Sequence, residues 1–190
     1  MQGSTGKMAA RNRLPPWHDE VRLANGREIL IRPIRPDDAQ PIRAGFSLLQ
    51  PDRVRHRFLQ EMRELTPEMA ERLARPDPRS TFVLVAAEKL PPGEAVIGAI
   101  ARVAITAGTR EAEFAILVGQ HIAGMGVGRQ LMLRLVRWAR GKKLARLYGR
   151  VPEENEPMLA LAESLGFRTE GAAKDGLVRV VLDLDSRPGA

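Results

Sequence analysis

The chain has 190 residues and no cysteine. That absence excludes disulfides, zinc sites built on thiolates and any cysteine nucleophile. Aromatic residues are scarce at 4%, so Leu, Val, Ile and Ala must fill most of the interior. The three histidines (His18, His56 and His121) stand far apart, without the spacing of a metal site. No apolar run approaches the 18 or so residues of a membrane span. The first sixteen residues are polar and lack the apolar core of a signal peptide, which places the chain in the cytoplasm as an expectation.

What is present is enough for one folded domain. Hydrophobic residues make up 44% of the chain, charged residues 28%, and the net charge is +7. Lys7, Arg11 and Arg13 lie in an opening segment rich in small and polar residues. Residues 1–18 are therefore expected to form a flexible basic arm, 19–186 one domain, and 187–190 a tail. The remaining positive charge fits a solvated basic face. It also fits attraction to an anion: a phosphorylated ligand, an acidic protein or nucleic acid. No recognition-helix motif, RNA-binding signature or aromatic stacking platform supports the nucleic acid.

Residues 28–34 follow an Asn25-Gly26 turn and read as a hairpin strand. Pro36, Asp37 and Asp38 open a helix that continues through Ile42, Phe46 and Leu49. A second helix is expected over 52–62. A third follows Thr66-Pro67, an N-cap with proline at the first helical position. Strands are then expected over 81–87, 95–106 and 111–118, joined by short turns at Pro91-Pro92-Gly93 and Gly108. Such spacing implies an antiparallel meander. Val127, Leu131, Leu135 and Trp138 mark a long amphipathic helix ended by Gly141. A strand over 144–151, a helix over 155–165 closed by Gly166, and a strand over 178–184 complete the chain. The expected fold class is mixed α/β, a meander followed by β-α-β-α-β.

The most informative segment joins the third meander strand to the long helix: Gly119-Gln120-His121-Ile122-Ala123-Gly124-Met125-Gly126-Val127-Gly128-Arg129. Glycines let a ligand approach the backbone, and the first N–H groups of a helix lack partners within it. Together with the helix dipole they suit a pyrophosphate, although a bare tight turn would use glycine too. A P-loop would require Gly-Lys-Ser/Thr, where this chain has Gly128-Arg129-Gln130. A dinucleotide fingerprint would require a third glycine where Arg129 stands, although Glu153 lies at a tolerable distance for a ribose contact.

The same run resembles motif A of the GNAT acetyltransferases, Q/R-x-x-G-x-G/A, with Ala123 in place of the usual Gln or Arg. Residues 155–167, from Asn155 to Leu165-Gly166-Phe167, resemble motif B of that family. Ala112-Glu113-Phe114-Ala115 resembles the signature of Pat-type bacterial protein-lysine acetyltransferases. The resemblance covers roughly residues 28–184. It implies a mixed sheet with a splayed strand pair that holds acyl-CoA. Ile116, Leu117 and Val118 are then expected to offer main-chain partners to the pantetheine arm, and Gly124, Met125, Gly126, Val127, Gly128 and Arg129 to wrap the pyrophosphate. Asn155 would contact the cofactor near its pantetheine end.

The resemblance further implies acetyl-CoA as co-substrate, no metal, and Glu113 as the general base. Transfer to an amine needs such a base, since a lysine of pKa about 10.4 is almost wholly charged at neutral pH. Glu111 and Glu113 share one strand face, and the flanking Ala112 and Phe114 suggest partial desolvation. The acceptor is expected to be the ε-amine of a protein lysine, acetylated by direct transfer; a small-molecule amine as acceptor, or a non-catalytic acyl-CoA sensor, is the alternative. Two departures stand out. Arg55 replaces a tyrosine often found before the Arg57-Phe58 pair, and Ala162 stands where many relatives carry a tyrosine acid. The only tyrosine, Tyr148, is on the preceding strand.

Overall fold

A computed structural model describes residues 15–46, 65–91 and 93–185. The helix expected over 52–62, Leu49 and the Arg55 departure lie outside them. Eight strands form one sheet: β1 (Asp19–Arg22), β2 (Glu28–Pro33), β3 (Thr81–Ala87), β4 (Ile97–Ile105), β5 (Glu111–Val118), β6 (Arg146–Pro152), β7 (Arg168–Thr169) and β8 (Leu177–Asp183). Their order across the sheet is β1-β2-β3-β4-β5-β6-β8-β7. Every neighbouring pair is antiparallel except β5 and β6. The α-helices among the described residues are α1 (Ala39–Ala44), α2 (Pro67–Ala74), α3 (Val127–Gly141) and α4 (Glu156–Ser164). The expected meander is β3-β4-β5, and α3 is the crossover between the parallel strands.

The alternation of side chains along each strand assigns the two sheet faces. Leu84, Ala86, Ala99, Ala101, Val103, Ala112 and Phe114 share a core with α3, whose buried stripe includes Val127, Leu131, Leu135 and Trp138. Each fully buried Leu or Val there contributes roughly 1.5–3 kcal/mol. Val83, Val85, Ala87, Ile97 and Ile100 point the other way, onto Ile42, Phe46 and Ala70 from the α1–α2 side. The two layers therefore sandwich the sheet at β3, β4 and β5, the strands that carry the site.

On the α1–α2 side, a buried ion pair sets the turn from β2 into α1. Arg32 donates two hydrogen bonds to Asp38, both 2.7 Å, and the two side chains are almost fully buried. The Arg35 backbone N–H also donates to Asp38, so the carboxylate is satisfied at the 3-10 turn (Pro36–Asp38) that leads into α1. At α2 the Thr66 hydroxyl accepts from the Met69 N–H and Pro67 takes the first position, as the sequence predicts.

Two strands were not anticipated. β1 carries a single apolar residue, Val21, and exists through its pairing with β2 across the Asn25-Gly26 turn. β7 has only two residues and pairs with β8. Nor does the end of the expected arm hang free: Trp17 packs edge-on against Phe82, which stacks on Trp138.

Candidate active site

β5 and β6 pair at three positions only: Glu111 with Arg146, Ala112 with Leu147, and Glu113 with Tyr148. Beyond Glu113 the strands part. β5 stays bonded to β4 as far as Val118, and β6 stays bonded to β8 as far as Pro152. The β5 edge from Phe114 to Val118 therefore faces an opening rather than a strand.

One cause of the parting is visible in the packing. A Cβ placed on Gly149 would lie 2.4 Å from the Phe114 ring. The ring thus occupies the space where β6 would carry a side chain, and only glycine admits it. Phe114 in turn meets Phe167 edge-to-face, with centroids 5.4 Å apart. Two segments singled out from sequence are joined by this contact.

The opening is the waist of a cavity of about 600 Å³. At one end lie Ala123, Gly124 and Gly128 of the glycine loop, with Asn155, Pro157 and Met158 of α4 and its cap. At the other end lie Ile42, Phe46, Leu65, Leu73, Ile100 and Leu117. Phe114, Ile116 and Val118 line it from one sheet face, and Glu113, Ala115 and Leu117 from the other. The cavity therefore passes through the sheet. A ligand held by the loop and a ligand entering beside α1 and α2 would meet in the gap between β5 and β6.

The loop has the form the sequence suggests. Gly126 caps α3 at φ +87° with no side-chain capping bond, and Gly124 sits at φ +73°. A Cβ on either would meet nothing within 4 Å, so these glycines answer to backbone conformation. The first α3 bond runs from Gln130 N–H to Gly126 C=O, leaving the N–H groups before it without helical acceptors.

The other expected binding residues take different places. Val127 is buried and anchors the helix, and Met125 packs against the core. Arg129 turns away from the cavity lining and donates to the Ser164 hydroxyl at 2.9 Å. Asn155 accepts from the Met158 N–H, so its side-chain oxygen caps α4 at the cavity wall.

Glu113 reaches the cavity, but its surroundings differ from those expected. Ala112 and Phe114 are buried on the opposite face and do not cover it. Its neighbours are two arginines that the sequence did not single out. Arg150 donates to Glu113 at 2.9 Å, with the two side chains 43% and 38% exposed. Arg102 lies on β4 opposite Ala115, the next residue after Glu113 on the same face of β5. Burial draws its guanidinium below the usual arginine range, and the Glu113 charge opposes that shift. Their strand parity was legible; that both arginines share the Glu113 face required the register. Tyr148 is buried, its hydroxyl 3.2 Å from that of Thr106 and its ring beneath Arg179. Ala162 is fully buried in the core. Among the described residues no three acidic or histidine side chains form a metal-sized cluster, and no helix is long and apolar enough to cross a membrane.

The sequence profile of the acetyltransferase (GNAT) domain matches residues 28–168. The chain belongs to the GNAT acetyltransferase family. It is 30% identical over 145 residues to the Pseudomonas aeruginosa acetyltransferase PA5475, covering 76% of this chain and 77% of that protein. The fold matches the crystal structure of the GNAT domain of S. lividans PAT with a TM-score of 0.76 at 25% identity, over 90% of this chain and all of that one. It also matches yncA, a putative acetyltransferase from Salmonella typhimurium solved with acetyl-CoA, with a TM-score of 0.59 at 21% identity, over 85% and 96% of the two chains. Family membership makes this GNAT protein an N-acetyltransferase with acetyl-CoA as its co-substrate. The open main-chain cradle at Gly124–Gly128 and the unpaired β5 edge are features that suit such a substrate.

Proposed function

We propose that this GNAT protein transfers the acetyl group of acetyl-CoA to the ε-amine of a protein lysine, with Glu113 as general base. One observation carries the reading: the carboxylate of Glu113 lines a cavity that crosses the sheet at the residue where β5 and β6 separate.

In this reading the main-chain N–H groups of Gly124, Met125, Gly126, Val127, Gly128 and Arg129 hold the pyrophosphate, Arg129 through its backbone alone. Ile116, Leu117 and Val118 present the open strand edge to the pantetheine arm, and the Asn155 cap abuts it. The acceptor enters from the α1–α2 side. Its nitrogen attacks the thioester carbonyl, Glu113 takes the proton from nitrogen, and the carbon–sulfur bond breaks to release the CoA thiolate. The free strand-edge amides stabilise the oxyanion. No cysteine exists to carry the acyl group, so transfer is direct, and alignment of the two substrates supplies much of the rate. With Ala162 buried and Tyr148 engaged by Thr106, the thiolate takes its proton from water.

The lysine acceptor rests on the Ala112-Glu113-Phe114-Ala115 signature and on the exposure of Glu113 and Arg150 at the mouth, which suits a side chain offered from a protein surface. The test is incubation of the chain with isotopically labelled acetyl-CoA and a cell lysate, followed by mass spectrometry of proteins and small amines. Label on protein lysines supports the proposal. Label confined to small amines would replace the acceptor, and no label at all would leave an acyl-CoA sensor.

A further inference from the structure

Residues 114–152 contain eight Lys and Arg and no Asp or Glu, while the whole chain carries a net +7. The excess positive charge is thus concentrated in one segment. The fold then sorts it. Arg134 pairs with Asp19, Arg146 with Asp183 and Glu111, and Arg150 with Glu113. Arg137, Arg140, Lys142 and Lys143 remain exposed along the outer face and C-terminal end of α3. At the margin Asp185 pairs with Arg110, which also donates to the Lys143 carbonyl.

These cations are partly ordered in advance. The Arg137 guanidinium lies 4.4 Å from the centre of the Trp17 ring, and the Lys142 ammonium 5.3 Å from that of Trp138. Each is held by an aromatic face and not by a competing acid, so its charge stays available. Trp17 fastens the start of the described chain to this face.

From these observations we infer that the outer face of α3 binds the phosphate backbone of a nucleic acid. A protein interface needs an apolar centre depleted of charge, and this face offers Leu133 as its single exposed large apolar residue. The acids at its edges, Asp19 and Asp185, are already paired with Arg134 and Arg110, and the single-sign array left between them suits a polyanion. Trp17 and Trp138 are turned into the body by Phe82, so this face presents no base-stacking platform among the described residues. Binding is therefore to phosphates, without sequence preference. Because α3 and Glu113 lie on opposite faces of the sheet, an occupied α3 leaves the cavity mouth open.

The test is fluorescence anisotropy of the intact chain with short DNA and RNA duplexes over a range of salt. Four phosphate contacts give a log–log salt slope of about −3.6. The Arg140→Gln, Lys143→Gln double variant touches neither the cavity nor the core. It should flatten that slope by about 1.8 and leave acetyl-CoA turnover unchanged. No binding to either duplex at about 50 mM salt, or a slope the variant does not alter, would overturn the inference. So would equal affinity for a polyglutamate peptide of similar length, which would assign the face to acidic proteins.

Discussion

Glu113 is the last residue of β5 with a partner on β6, and that partner is Tyr148. The proposed base thus stands at the point where the sheet opens. One side of the pair is an ordinary ladder fixed by β4 and β8. The other is a gap whose free edge can meet a ligand backbone. Position along the strand, more than the local sequence around Glu113, gives that carboxylate its place at the opening.

If the Phe114 ring wedges the gap, filling its seat must be costly. Gly149→Ala should destabilise the fold by about 1–3 kcal/mol, because the new Cβ overlaps the ring. Phe114→Leu in the same chain should recover part of the loss. Urea midpoints for the two single variants and the double variant check this, and strict additivity would show that the two residues are not in conflict.

The loop glycines are needed for conformation. Gly126→Val should weaken acetyl-CoA binding more than Gly126→Asn does, since Asn visits the left-handed region with less strain and neither side chain meets a neighbour within 4 Å at its Cβ. Calorimetric titration of both variants measures the difference. Equal losses would point to crowding by the ligand and not to backbone strain.

The buried Arg32–Asp38 pair sets the entry to α1, whose Ile42 lines the cavity. Asp38→Ala leaves the Arg32 guanidinium buried without its carboxylate and should cost about 3–5 kcal/mol. Arg32→Met with Asp38→Leu removes both charges and should cost less than the single change. Denaturant melts of the three proteins decide the point.

Lys89 ties the β1–β2 hairpin to the end of β3 through Glu20 at 2.8 Å and Glu28 at 2.9 Å. The hydrogen bond from Lys89, reinforced by its charge, holds the Glu28 carboxyl below its ordinary 4.5. The bonds to Glu20 and Glu28 lift the Lys89 ammonium above its ordinary 10.5. The Glu28 contribution is present above pH 4.5 and is lost as pH falls through the depressed folded value. The Lys89 contribution is complete below pH 10.5 and is lost as pH rises through the raised folded value. Wild type should therefore be slightly more stable than Lys89→Met between those limits, with the gap closing outside them and shrinking in high salt. Urea midpoints across pH test it.

Much of this was legible because it is periodic. The α3 stripe, the β3–β5 meander and the glycine loop each follow from spacing, and their bounds differ from expectation by one or two residues at most ends. β1 and β7 were missed because they are made by their partners: Asp19–Arg22 has one apolar residue and Arg168–Thr169 is too short to show a period. The Arg102 and Arg150 neighbours of Glu113 were missed for a related reason. Strand parity says which face a residue takes, but only the register between strands says whom it meets. The same holds for Gly149, whose requirement comes from a ring 35 positions earlier in the chain.

The central claim is that Glu113 removes the proton from the attacking amine. It is tested most directly by Glu113→Gln, which keeps the shape of the side chain and removes its basicity. Acetyl-CoA affinity, read by calorimetry, should match wild type, while kcat for lysine acetylation should fall by roughly 10²–10⁴. Unchanged turnover in that variant would contradict the account.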